Sequence, residues 1–309
     1  MTADSGEGGQ SGDEGAAGEG PRNYLVTGAA SGMGAQVARR LRAAGHEVIG
    51  VDRDDADVVA DLSGPDGRRR AVVEARERCS GVLHGAVFAA GMGPARGAER
   101  TLLEVNVLGV TELLSELRPA LAAAGKAKVV VFGSNSTTST PLVPRRAIRL
   151  AQRGDTAAAA RVLRRRGRLA PPLAYATSKL AVSRWCREQA VSAEWAGSGI
   201  ALNVLAPGPV LTPLLRGQLN SATGSQVRSF PVPARECGTP EQLAEWTLTM
   251  LSPAADFMIG SVVTVDGGTE ALLRPRDWPS RLPVRELPRM LWTMARAPGR
   301  GQVADYSGV

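Results

Sequence analysis

The chain has 309 residues, of which 43% are hydrophobic and 4% aromatic, and a formal net charge of +7. That length suits one α/β domain of about 250 residues with tails, and the hydrophobic share suffices for a buried core. Three scattered cysteines (Cys79, Cys186 and Cys237) argue against a disulfide framework or zinc cluster, no run approaches the ~18 apolar residues of a membrane span, and no basic start leads into an apolar stretch. Secretion and membrane spanning are therefore not expected; a reducing cytoplasm is.

Residues 1–21 hold seven glycines and five acids. They cannot bury enough apolar surface to offset the entropy of ordering, so a disordered tail is expected, with the fold beginning at Arg22. "NYLVTGAASGMGAQVARRLRAAGHEVIGVD" then reads strand, glycine turn, helix, strand. Its strands are short and β-branched, and Val37, Leu41 and Ala44 recur at helical spacing. "RRAVVEARERC" predicts a helix and "GAVFAAG" a strand; "ERTLLEVNVLGVTELLSELRPALAAAG" predicts one long helix or a pair, followed by the strand "KVVVFGS". A helix reaching about Trp195, the strand "IALNVLAPG", a helix near 240–251 and the strand "SVVTVDGG" complete the series. Strands alternating with helices imply an α/β fold, a Rossmann-type doubly wound parallel sheet covered on both faces. Residues 22–276 form that domain in this reading, and 277–309 a C-terminal extension.

The turn "TGAASGMG" (27–34) joins the first strand to the first helix. Thr27, Gly28, Ser31, Gly32, Met33 and Gly34 would let backbone N–H groups approach a pyrophosphate at the positive end of that helix. Such a motif alone is weak evidence and can be a tight turn with a packing glycine; its place in a complete strand–turn–helix–strand unit favours a nucleotide. The acid expected about 20 residues on is Asp52. Its carboxylate would accept the ribose hydroxyls and repel a 2′-phosphate, favouring NAD(H) over NADP(H). Arg53 beside it is the counterargument.

One of only three tyrosines, Tyr175, stands four positions before one of only three lysines, Lys179, in "YATSK". With the glycine turn, that pair resembles the short-chain dehydrogenase/reductase family, over residues 22 to about 273. The resemblance implies that Asp61, with Leu62, contacts adenine, and that Ala90 and Gly91 of "AAG" border the cofactor. It further implies that Asn106, Ser134, Tyr175 and Lys179 are catalytic. Pro207, Gly208, Val210 and Thr212 of "APGPVLTPLL" would contact nicotinamide, with Tyr175 and Lys179 also on the cofactor. A departure is Ala89, where the family usually has asparagine. The implied chemistry is transfer of hydride to a carbonyl carbon with a proton delivered to its oxygen. Free tyrosine, with a pKa of about 10, is a weak acid for that task, and an ammonium one turn away is expected to lower it. Ser134 would hydrogen-bond the substrate oxygen, and Asn106 would hold a water linking Lys179 to solvent. His46 and His84 read as surface or packing residues, so Ser134 has no histidine base for a nucleophile role. No metal site is expected.

Ser134 and Tyr175 stand 41 positions apart, much farther than is usual in the family. The inserted stretch, about 145–170, is arginine-rich: residues 145–168 hold nine arginines against one acid, a local +8 that exceeds the whole chain's +7. This pattern resembles the bacterial 3α-hydroxysteroid dehydrogenase/carbonyl reductase subgroup, in which the inserted helices obstruct the usual tetramer interface. A mobile helical hairpin at the substrate entrance, arginines in water, is expected here. Val284, Leu287, Leu291 and Met294 form one apolar face of a predicted C-terminal helix, expected to pack on protein in preference to lipid. The expected activity is interconversion of a secondary alcohol and a ketone on an apolar or cyclic small molecule, by a homodimer or homotetramer. The alternative is a non-catalytic dinucleotide sensor or nucleic-acid-binding protein using the arginines. It has no need of the residues at 106, 134, 175 and 179.

Overall fold

The computed structural model describes residues 20–220, 224, 228–277, 282–300 and 303. The acidic, glycine-rich stretch 1–19, and its expected disorder, lie outside the described residues.

Seven parallel strands form one sheet in the order β3-β2-β1-β4-β5-β6-β7. They are β1 (Asn23–Thr27), β2 (Glu47–Asp52), β3 (Val58–Val59), β4 (Gly85–Phe88), β5 (Ala127–Phe132), β6 (Ile200–Pro207) and β7 (Val262–Val265). Strands buried on both faces need apolar residues at successive positions, and β5, "AKVVVF", is buried throughout. Its alternate residues serve opposite layers: Val129 and Val131 enter one core, Val130 and Phe132 the other. The first core holds Leu25, Phe88, Leu113, Leu117 and Trp195 under α2 (Pro65–Arg78), a helix ending at Ala123, and the helix carrying Tyr175. The second holds Val26, Val37, Leu41, Leu243 and Met250, from α1 (Gly32–Ala43) and a helix at Pro240–Leu251. The latter starts with a capping box, in which Thr239 and Gln242 satisfy each other's backbone N–H groups.

The strand order reverses between β1 and β4, and the glycine turn opens at that crevice, the usual position for a ligand in such sheets. The two-residue β3 was not among the expected strands; Val59 is exposed and the pairing is only two residues long. The predicted long helix at 99–123 is continuous but changes character: α3 (Glu99–Leu103), a π-helical turn at Glu104–Leu108, then α4 (Gly109–Ala123).

Beyond β5 come the short α5 (Ser136–Ser139), then α6 (Arg145–Gln152) and α7 (Thr156–Arg164), with Asp155 capping α7 by accepting from the Ala158 N–H at 2.9 Å. The insertion is therefore the expected helical hairpin. Its inner face is core. Ala147, Ile148, Ala151, Ala159, Ala160 and Leu163 are buried with Leu102, Leu103, Leu173 and Ala174. All nine arginines point outward and are exposed. The helix α8 (Ala170–Ala190) follows directly.

α9 (Pro213–Leu219), α10 (Pro240–Leu251), α11 (Thr269–Leu273) and α12 (Leu287–Arg296) follow along the described residues. None of the residues of α12 is buried, so its apolar face does not pack on its own domain. No helix among the described residues is long and apolar enough to cross a membrane.

Candidate active site

The glycine turn is tight because its glycines are closely covered. Gly28 has φ +73°, and a Cβ there would stand 2.7 Å from the Ala90 nitrogen; one on Gly34 would strike the Gly28 carbonyl. Thr27 Oγ1 accepts from the Ala90 N–H at 3.2 Å, tying β1 to the chain leaving β4. Ser31 caps α1 without a side-chain hydrogen bond, and no acid occupies the first turn. The helix N-terminus thus keeps its donors and positive end for an anion. Met33 packs against the second core, fixing the start of α1.

Asp52 ends β2 beside this turn. Its Oδ2 accepts from the Ala30 N–H at 2.9 Å and its Oδ1 from the Arg53 N–H at 2.7 Å. The Arg53 guanidinium turns instead to Asp54, 3.3 Å away, in solvent. Asp61 accepts from the Ser63 N–H at 2.9 Å, and that bond holds its carboxyl below the usual range. Leu62 next to it is buried, and a Cβ on Gly109 would stand 3.2 Å from the Leu62 Cβ. These groups fit a dinucleotide lying from the β2 edge across the glycine turn.

The four family-type catalytic positions converge at the carboxyl ends of β4 and β5. Lys179 Nζ donates to the Phe132 carbonyl at 2.7 Å and lies 5.9 Å from the Tyr175 ring centroid. The Ser134 hydroxyl hydrogen-bonds the Tyr175 phenol and accepts from the Ser136 N–H at 3.1 Å. Asn106 sits in the π turn with both amide ends in use: Oδ1 accepts from the Met92 N–H at 2.7 Å, and Nδ2 donates to the Met92 carbonyl at 3.0 Å and to Ser178 Oγ at 3.1 Å. A Cβ on Gly91 would stand 3.3 Å from Asn106 Oδ1 and 3.8 Å from Lys179 Nζ, so only glycine leaves that space open.

The electrostatics differ from expectation in one respect. Burial raises the Tyr175 phenol above its ordinary value, and only the Ser134 hydrogen bond opposes it. Lys179 is itself lowered to about 8 by burial. An ammonium nearly 6 Å from the ring, bonded to a carbonyl, does not dominate the phenol's desolvation.

Pro207 ends β6, and a Cβ on Gly208 would collide with Asp266 at 2.7 Å, so the loop runs against the start of "DGG". Asp266 accepts from Asn135 Nδ2 and from the Gly268 and Glu270 N–H groups, clamping that corner. Val210 is buried against the second core, and Thr212 caps α9 by accepting from the Leu215 N–H at 3.2 Å. Thr212 Cγ2 would stand 3.3 Å from a Cβ on Gly32, so the loop closes on the glycine turn.

Sequence reasoning missed Ser178, Met92 and Phe132. Ser178 lies inside "YATSK" and was readable as polar; the other two act through main-chain atoms and leave no signal in residue type. His46 precedes β2 and His84 precedes β4, at the end of the sheet opposite Ser134; His84 Nδ1 accepts from the Asn23 N–H and His46 packs on Tyr24. Among the described residues no acid, histidine and cysteine cluster could hold a metal.

Residues 134–270 match the family model described as enoyl-(acyl carrier protein) reductase. A 3-alpha-hydroxysteroid dehydrogenase/carbonyl reductase of Comamonas testosteroni is 33% identical over 255 residues, covering 82% of this chain and 98% of that one. A galactitol 2-dehydrogenase (L-tagatose-forming) of Cereibacter sphaeroides is 28% identical, covering 79% and 92%. The crystal structure of the 3-alpha-hydroxysteroid dehydrogenase from Pseudomonas sp. B-0831 complexed with NADH superposes with a TM-score of 0.78 at 40% identity, covering 82% of this chain and 99% of that one. With this sheet, this glycine turn and these relatives, the chain belongs to the short-chain dehydrogenase/reductase family, whose members are oxidoreductases.

Proposed function

We propose that the protein is an NAD(H)-dependent oxidoreductase interconverting a secondary alcohol and a ketone, with Tyr175 as the proton donor and acceptor. The observation that carries this is the meeting of Ser134, Tyr175, Lys179 and Asn106 beside the glycine turn. A sensor would need only the nucleotide half.

When bound, a nicotinamide dinucleotide supplies or accepts the hydride. Tyr175, kept protonated by burial, donates to the carbonyl oxygen in reduction, and Ser134 hydrogen-bonds the same oxygen. Lys179 returns the proton and holds ribose hydroxyls. The Asn106 amide hydrogens are both committed, so its side chain pins the π turn.

Thr27, Gly28, Ser31, Gly32, Met33 and Gly34 would cradle the pyrophosphate. Asp61 and Leu62 would meet the adenine, and Ala90, Gly91, Pro207, Gly208, Val210 and Thr212 the nicotinamide half. Asp52 favours NAD(H), since desolvating a carboxylate beside a 2′-phosphate is costly, and Arg53 is engaged with Asp54. An apolar or cyclic substrate is supported by the hydroxysteroid relatives and by the packing of Tyr175 against the cluster of Leu102, Leu173 and Met92. A dimer is the proposed assembly, since the hairpin occupies the outside of α8.

A panel of secondary alcohols and ketones, followed by absorbance of the reduced nicotinamide, tests this reading. Turnover with NADH is expected at a kcat/KM at least about tenfold above NADPH, roughly 1.4 kcal/mol. Equal values would show that Arg53 accommodates the phosphate, and binding of NADH without turnover of any member would favour the sensor. Nucleic-acid binding with a steep salt dependence would favour the other alternative.

A further inference from the structure

α12 is amphipathic and uncovered, and its two faces differ sharply in chemistry. At 3.6 residues per turn, Leu287, Met290, Leu291 and Met294 share one side. Arg289 and Arg296 stand opposite, and Trp292 lies on their side. The large apolar side chains of this helix, Trp292 included, are between 37% and 65% exposed. Residues 284–300 carry four arginines, Arg285, Arg289, Arg296 and Arg300, against the single acid Glu286. Glu286 lies 3.9 Å from Arg285 and 3.8 Å from Arg289 and offsets only one of them. Arg296 and Arg300 stack on Trp292, 4.4 and 5.1 Å from its ring.

We propose that this helix docks the enzyme on an anionic phospholipid surface, lying in the plane of the membrane without crossing it. The apolar side would enter the boundary between headgroups and acyl chains, and the arginines would meet lipid phosphates. Charge selects this occupant. A second copy of the same helix would bring four more arginines to the contact, whereas a phospholipid surface supplies the missing anions. The hydroxysteroid dehydrogenase relatives are matched almost whole by 82% of this chain, which leaves segments without a counterpart in them. Docking would be an addition to the shared oxidoreductase fold, and it does not depend on which substrate that fold serves.

The test uses the full chain in flotation with vesicles of phosphatidylglycerol and phosphatidylcholine, and of phosphatidylcholine alone, at low salt. Wild type is expected to float with the anionic vesicles. Leu291→Glu is expected to cut the bound fraction about tenfold or more while leaving Tm unchanged, because the side chain touches no core. The pair Arg289→Gln and Arg296→Gln should remove the preference for the anionic vesicles. Failure of wild type to float, or equal flotation of Leu291→Glu, would overturn the proposal; the latter would assign the binding to another basic surface. A Tm drop in Leu291→Glu, or dissociation of a larger assembly in light scattering, would show that protein covers this face and would equally overturn it.

Discussion

The hairpin α6–α7 and the helix α12 look alike as sequence: both are short, arginine-rich and apolar along one side. They are placed differently. The hairpin buries Ala147, Ile148, Ala159 and Leu163 against α3 and α8, and its arginines meet water. α12 leaves both sides in water. Part of the difference is chain geometry, since the hairpin is tethered at both ends, between β5 and α8, and has no freedom to leave the domain. Small residues matter too: the alanines of α7 allow close approach to α3, whereas α12 offers long, adaptable Leu and Met side chains. An amphipathic pattern identifies a face and does not identify what covers it.

The largest effect expected from this contrast is in stability. Leu163 is fully buried, so Leu163→Ala should cost about 2–5 kcal/mol from lost burial and the cavity left behind. Leu291→Ala on α12 should stay within about 0.5 kcal/mol. Denaturant melts of the two variants check this, and equal losses would erase the distinction between the regions.

A smaller effect, dependent on pH, arises where the hairpin's core meets the site. Burial lowers Lys179 from 10.5 to about 8. Between those values the unfolded chain binds more protons than the folded one, so this group's contribution to stability rises with pH across that window and is least favourable below about 8. Lys179→Met removes the slope: relative to it, wild type should gain stability as pH rises from 8 to 10.5, and a constant difference in Tm would contradict the assignment. In the same site, wild-type kcat/KM should fall as pH rises through about 8, where Lys179 loses the charge that serves ribose and proton return. A flat profile there would remove Lys179 from that role.

The smallest effect is expected at the hairpin's outer face. Arg161→Gln and Arg165→Gln, both exposed and outside any ion pair among the described residues, should each change the folding free energy by no more than about 0.5 kcal/mol in denaturant melts. A larger loss would mean that the arginines hold the hairpin in place.

Much of this was legible in the chain. Six of the seven strands follow from β-branched runs between turn signals, and Tyr175 and Lys179 stand out because each residue type is so scarce. Asp52 follows from its spacing past the glycine turn, beside which the structure puts it, whereas Asn106 and Ser134 could be placed only by resemblance. Three features could not be read. β3 is two residues long and half exposed, too short for any periodicity. The π turn at Asn106 depends on main-chain contacts from Met92 and on Ser178, seventy-two positions away. The raised pKa of Tyr175 comes from desolvation, which depends on packing that the spacing of Tyr and Lys does not report.

The proton role of Tyr175 is the centre of the account, and Tyr175→Phe tests it most directly. The substitution removes one hydroxyl and keeps the ring that packs against the hairpin's core. Measured with the best substrate of the panel and with NADH titrated by fluorescence, kcat should fall by about 100-fold or more while the Kd for NADH stays within about threefold of wild type. Retention of a tenth or more of wild-type kcat would contradict the assignment.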